Sequence, residues 1–382
     1  MAWIPPPDPG PKLCRELQDY IIDCIPQSDI QTLQSCSLVC SEWRPRSQYQ
    51  LFNKTLSFGR KFSKENLTIR LKGFLDMVAS SETILGAVKG LTISHTFLHE
   101  DLELLFPNLQ SLRIEGTDDY SPVKFTDLLL TKLKCSGLRQ LIMRGLSLTN
   151  QQSLVSLFRA VGALNPSTPS SLDYLAVHDC DFRWEDGSDT DLLTLYFLNL
   201  TLSLEPCHKF APFLRQFEFR GLRALVVHKY YPDPPGLLCD FINRYREDLH
   251  YISFPGFQYT SIEEPQLLDD IKEIRFSEMH NLKELDLHLS HTSSSIVQHI
   301  ISEVTWSPAV RLKRFSVRLD YNGTSRYAPT DFLLANLATA KADSLEQMDI
   351  YVAPKLHDKV LEMVLQKTFH LGGAVRFLRP PQ

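Results

Sequence analysis

One short pattern limits what this chain can fold into more than any other feature. It is a leucine, two residues, a second large apolar residue, one residue, and a third apolar one. It runs as Leu109-x-x-Leu112-x-Ile114, Leu138-x-x-Leu141-x-Met143, Leu172-x-x-Leu175-x-Val177 and Leu222-x-x-Leu225-x-Val227. It continues as Leu249-x-x-Ile252-x-Phe254, Leu282-x-x-Leu285-x-Leu287, Leu312-x-x-Phe315-x-Val317 and Leu345-x-x-Met348-x-Ile350. The leading leucines are 29, 34, 50, 27, 33, 30 and 33 residues apart. Alternation with period two marks each copy as a strand with one face buried. The 50-residue step has room for one more strand, and the alternating Leu-Thr-Leu-Ser-Leu at 200–204 supplies it. Two further strands are expected ahead of the series, at Lys54–Phe58 and Val88–Ser94.

Helical runs are expected between strands at Val123–Lys134, Leu237–Arg246, Ser294–Glu303, Thr330–Lys341 and Asp358–Thr368. A strand, a loop, a helix and a return make one unit. No such unit buries its apolar face alone, whereas stacked units share a continuous core. The fold class is therefore α/β, a curved parallel sheet with helices outside it, over residues 53–382. The repeat resembles a degenerate leucine-rich repeat, because the asparagine turn typical of that family is missing.

The segments after the strands share one rim, where binding residues of repeat proteins sit. EGTDDY at 115–120, DCDFRWEDGSDTD at 179–191 and YYPDPPG at 230–236 are aromatic or acidic, and Phe257, Tyr259 and Tyr321 hold comparable places. Exposed Trp, Tyr and Arg are the residues of binding hot spots. Arg183, Trp184, Tyr230 and Tyr231 are the candidate target contacts, with folding back over the sheet edge as the competing role.

The first fifty residues read differently. Residues 1–11 hold five prolines and no apolar stretch, which suggests an extended leader and no secretory signal. Leu17, Ile21, Cys24 and Ile25 then recur at helical spacing, predicting a helix from Arg15 to Ile25 that Pro26 ends. Ser28 with Gln31 suggests a capping box for a second short helix through Leu33. A third apolar run spans Cys36–Trp43, and Pro45 interrupts it or opens a new turn toward Leu51 and Phe52. Three helices this short cannot hide Leu13, Leu17, Ile21, Ile22, Ile25, Leu33, Leu38, Val39 and Trp43 among themselves. The rest of the chain or a partner must cover the surplus.

The string Leu13-Cys-Arg-Glu-Leu17, Ile21-Ile22, Ile25-Pro26, Ser28-Asp29-Ile30, Leu33 and Cys36-Ser-Leu-Val-Cys-x-x-Trp43-Arg44 resembles an F-box, over residues 12–52. With Pro45-Arg46-Ser47 and Leu51-Phe52 it is similar to the variety abundant in mushroom-forming fungi. It departs from that pattern at Cys14, where a proline is usual after the leucine. The resemblance implies docking to the Skp-type adaptor of a cullin ubiquitin ligase. The contacts it implies are Leu13, Leu17, Ile21, Ile25, Leu33, Leu38, Val39, Cys40 and Trp43, with Ile22 and Trp43 also candidates for packing inside the motif.

Composition narrows the alternatives. A formal net charge of -5 lacks the basic footprint of a nucleic-acid binder. No apolar run reaches the roughly 18 residues of a membrane span. Eight cysteines without a CxxC pair suggest free thiols and a cytoplasmic or nuclear address. GxSxG, GxGxxG and P-loop motifs are absent, so no enzyme and no cofactor is expected. His95, His99 and Glu100 lack the order of a zinc helix. Asp179, Asp181, Glu185 and Asp186 lack the spacing of a calcium loop. The role the resemblance implies is that of a ubiquitin-ligase substrate receptor that binds a protein target. A ligase-independent scaffold and a small-ligand receptor are the alternatives.

Overall fold

The computed structural model describes residues 13–53, 55–58, 81–94, 108–116, 137–184, 192–205, 210–228, 236–255, 271–289, 310–319, 346–352 and 375–378. It also describes residues 73, 74, 76, 122, 123, 269, 299, 300 and 302–304. The leader at 1–11, the expected helices at 330–341 and 358–368, and Tyr230 and Tyr231 lie outside the described residues.

Three helices come first: α1 (Arg15–Asp23), α2 (Ile30–Val39) and α3 (Arg44–Phe52). Helix α1 stops two residues short of Ile25, because the residue before Pro26 is pushed out of the helical region. The second and third expected helices are one. Asp29, not Ser28, caps α2, its Oδ1 accepting from the Thr32 backbone N–H at 3.1 Å. Nothing between Leu33 and Cys36 breaks the helix, so it runs on to Val39. Pro45 then stands in the first turn of α3, where its missing N–H costs nothing.

Among the described residues the remaining chain builds a twelve-stranded sheet. Its strands are β1 (Thr55–Phe58), β2 (Gly90–Ser94), β3 (Ser111–Glu115), β5 (Gln140–Arg144), β7 (Tyr174–His178), β9 (Leu193–Glu205) and β10 (Phe217–Val227). It ends with β11 (Tyr251–Phe254), β12 (Glu284–Leu289), β13 (Arg314–Leu319), β14 (Gln347–Val352) and β15 (Val375–Leu378). The strands lie in chain order, and each neighbouring pair is parallel. Every sequence-expected strand is present, and β15 is an addition. The two-residue strands β4 (Pro122–Val123), β6 (Ser147–Leu148) and β8 (Asp181–Phe182) form a separate small parallel sheet. Val123 therefore belongs to a strand and does not open the helix expected at 123–134.

The repeated pattern forms the core. Leu141 and Met143 of β5, Leu175 and Val177 of β7, and Leu225 and Val227 of β10 are buried, as are the leading leucines from Leu109 to Leu312. Each such side chain contributes roughly 1.5–3 kcal/mol on leaving water. Phenylalanines fill the layer behind the sheet, with Phe213 stacked 5.1 Å from Phe182 and Phe158 edge-on to Phe217 at 5.3 Å. Among the described residues the helices that accompany the sheet include α4 (Glu82–Ala87), α5 (Gln151–Ala160), α6 (Ala211–Gln216) and α7 (Leu237–Arg244). Helix α5 is not among the helices expected from sequence, although its local signals are plain. Asn150 caps it through Gln152 N–H at 2.7 Å, and Leu154, Leu157, Phe158 and Val161 bury one stripe.

Strands β9 and β10 are more than twice as long as β5 or β7, and a bulge at Gly221 bends them. Gly221 has φ 85°, and a Cβ there would stand 2.1 Å from the Phe197 carbonyl oxygen. Only glycine fits both demands.

Candidate functional site

Helix α3 organises the N-terminal segment, packing against α1, α2 and α4. Arg46 Nε donates to Asp23 Oδ1 at 2.7 Å, and the Gln50 amide reaches the same oxygen at 2.6 Å, which fastens α1 to α3. The bond from Arg46 holds the Asp23 carboxyl below its ordinary value. Ile22, Leu33 and Cys36 turn inward.

What stays outside is concentrated. Among the described residues nine large apolar side chains are exposed, and seven of them lie here: Leu13, Leu17, Tyr20, Ile21, Ile30, Leu38 and Val39. Scattered single apolar residues are ordinary on a protein surface, whereas so many within one short segment make it a candidate interaction site. Leu38 is 80% exposed. Five of the nine residues singled out from sequence (Leu13, Leu17, Ile21, Leu38 and Val39) are therefore available to a partner, and Ile25, Cys40 and Trp43 are half-buried. Leu33 requires a correction. It is 0% exposed, enclosed by the motif, and cannot contact a partner while the motif is folded. Tyr20 and Ile30 were not among the contacts the resemblance implies: Tyr20 falls between the string's apolar positions, and Ile30 belongs to the string without being assigned a contact. A cleft of about 380 Å³ opens beside this surface, lined by Leu13, Arg15, Gln18, Ser41, Glu42 and Pro45.

The rim candidates fare unevenly. Arg183 Nε binds Asp181 Oδ2 at 2.6 Å while its side chain remains well exposed. Trp184 is half-buried, edge-on to Phe182 at 5.1 Å and packed on the core. Asp179 takes a left-handed φ of 53° and lies 3.9 Å from Arg144. Among the described residues no three His, Cys, Asp or Glu side chains converge as a metal site needs.

The opposite face of the large sheet is polar, and it brings together residues that spacing alone did not connect. His178 follows the pattern in β7 and His228 follows it in β10, at the same repeat position. Strand β9 runs between them with Ser203 on this face. Ser203 Oγ lies 2.9 Å from His178 Nε2 and 3.0 Å from His228 Nε2. The imidazole centroids are 4.9 Å apart and nearly perpendicular. Burial first, then the neighbouring His228, pushes the His178 pKa down to about 4. The shared repeat position was the available signal, but it carried no information about the strand between.

No helix among the described residues is long and apolar enough to cross a membrane. Comparison with models of protein families and with curated proteins yields no match for this chain.

Proposed function

We propose that the chain is a non-enzymatic adaptor, the substrate-recognition subunit of an SCF-type ubiquitin ligase. In this reading the three N-terminal helices are an F-box that docks a Skp-type adaptor and, through it, a cullin. The ordered parallel sheet is a leucine-rich-repeat-like solenoid whose rim and polar face hold a target protein. The observation that carries the reading is the concentration of exposed apolar side chains on α1 and α2. Such a subunit works by proximity, raising the effective concentration of the target beside a ubiquitin-loaded enzyme. One observation favours a ligase-independent scaffold as the second reading. Cys14 stands at the N-cap of α1, where the family has proline, and makes no side-chain capping bond.

The test is co-purification of the full chain with a Skp-type adaptor, beside a Leu38→Asp, Val39→Asp variant. Both positions are exposed, so the fold tolerates the change, while a carboxylate in an apolar interface goes unpaired. A stable complex that the variant loses at unchanged melting temperature supports the proposal. A well-folded wild type that forms no complex sinks it.

A further inference from the structure

We infer that His178, Ser203 and His228 form a proton-sensitive clasp that joins strands β7, β9 and β10 while both imidazoles are neutral and weakens when one is protonated. The inference stands on the sheet alone and is independent of the adaptor reading.

The bonding inventory drives the argument. A serine hydroxyl has one hydrogen to give and oxygen lone pairs to receive with. Between two neutral imidazoles it completes a chain, accepting from the ring whose Nε2 carries hydrogen and donating to the ring whose Nε2 does not. Ser203 is 0% exposed, so water is not at hand to replace either partner. Protonating the accepting ring makes both Nε2 atoms donors toward the same oxygen. The serine hydrogen then loses its acceptor in a buried place, which costs more than the same loss in water.

The surrounding charges do not rescue the cation. From β5 comes Arg144, which opposes it; from the turn after β7, Asp179, and from β9, Glu205, which favour it; from β10, His228, which opposes it. Beyond β10 the same face carries Tyr251 and Ser253 of β11, and Ser253 Oγ donates to Asp286 of β12 at 3.2 Å. Burial outweighs both carboxylates, and His178 stays neutral well below the usual histidine range. The clasp sits in the middle of the twelve-stranded sheet. In a stack whose units touch only their neighbours, weakening one internal interface divides the array into two halves.

The sign follows from linkage. The folded pKa lies below the unfolded one, so the unfolded chain binds this proton more tightly. The stabilisation is whole above about pH 6.5, the unfolded value, and declines as pH falls toward about 4. Urea unfolding of the full chain, followed by circular dichroism at about pH 7.5 and about pH 5, measures it. In the wild type this group raises the unfolding equilibrium constant roughly 10- to 30-fold between those conditions. His178→Gln, which cannot titrate, should lose that part of the acid sensitivity, while His299 and the carboxylates cancel in the comparison. Equal acid sensitivity in both chains overturns the clasp. Should His178→Gln fail to fold, imidazole nitrogen shifts in the wild type decide the question. His178 holding one neutral tautomer down to about pH 5 supports the clasp, and titration near 6.5 overturns it.

Discussion

Phe52, the last residue of α3, lies with its ring centroid 6.2 Å from that of Phe74. Beside this pair, the Lys89 ammonium sits 6.0 Å from the centre of the Tyr49 ring. The N-terminal helices are thereby seated on the start of the sheet, and Phe52 belongs to the margin of its core. Phe52→Ala should lower the unfolding free energy by about 2 kcal/mol, less than for a fully enclosed ring because Phe52 is only half-buried. The shift of the urea midpoint measures this. An unchanged midpoint would mean that the helices and the sheet stand independently.

Leu33 and Leu38 lie five residues apart on α2 with opposite environments. Leu33→Ala should destabilise by about 3 kcal/mol through lost transfer energy and the cavity left behind. Leu38→Ala should stay within about 0.5 kcal/mol of wild type. Thermal melts of the two variants, side by side, show whether the inward and outward faces of α2 are assigned correctly.

Gly221→Ala combines a left-handed φ with a backbone clash against Phe197. A cost of about 3 kcal/mol is expected. Hydrogen exchange should show faster opening at 193–199 and 217–221, the strand segments that the bulge joins. Equal exchange there in both chains would contradict the role given to the bulge.

Tyr245 is buried, and its hydroxyl oxygen accepts from the Phe219 backbone N–H at 2.8 Å. Tyr245→Phe keeps the ring and leaves that donor unpaired, at a cost of about 1–3 kcal/mol. Chemical denaturation reads this directly, and a neutral result would show that another acceptor replaces the hydroxyl.

Much of this architecture was legible beforehand, for a local reason. Burying one face of a strand imposes alternation on consecutive residues, so each Leu-x-x-Leu-x-apolar string announces its own strand. The strands pair in parallel in the order in which the chain supplies them, in keeping with the near-regular spacing of the strings. The exposed apolar surplus of the first helices was likewise apparent, since three short helices cannot enclose that many large side chains.

Tertiary structure decided the rest. Whether Leu33 faces inward while Leu38 faces out depends on where α3 packs, which spacing along α2 does not state. The direction of Trp184 depends on Phe182 being present to receive it. His178, Ser203 and His228 are separated by 25 residues at each step. They meet because the parallel register sets Ser203 opposite Ala176 of β7 and Val226 of β10, two residues before each histidine on the same face. Alternation chooses the face on which a side chain stands, whereas the long-range hydrogen-bond ladder and the bulge at Gly221 choose its neighbour.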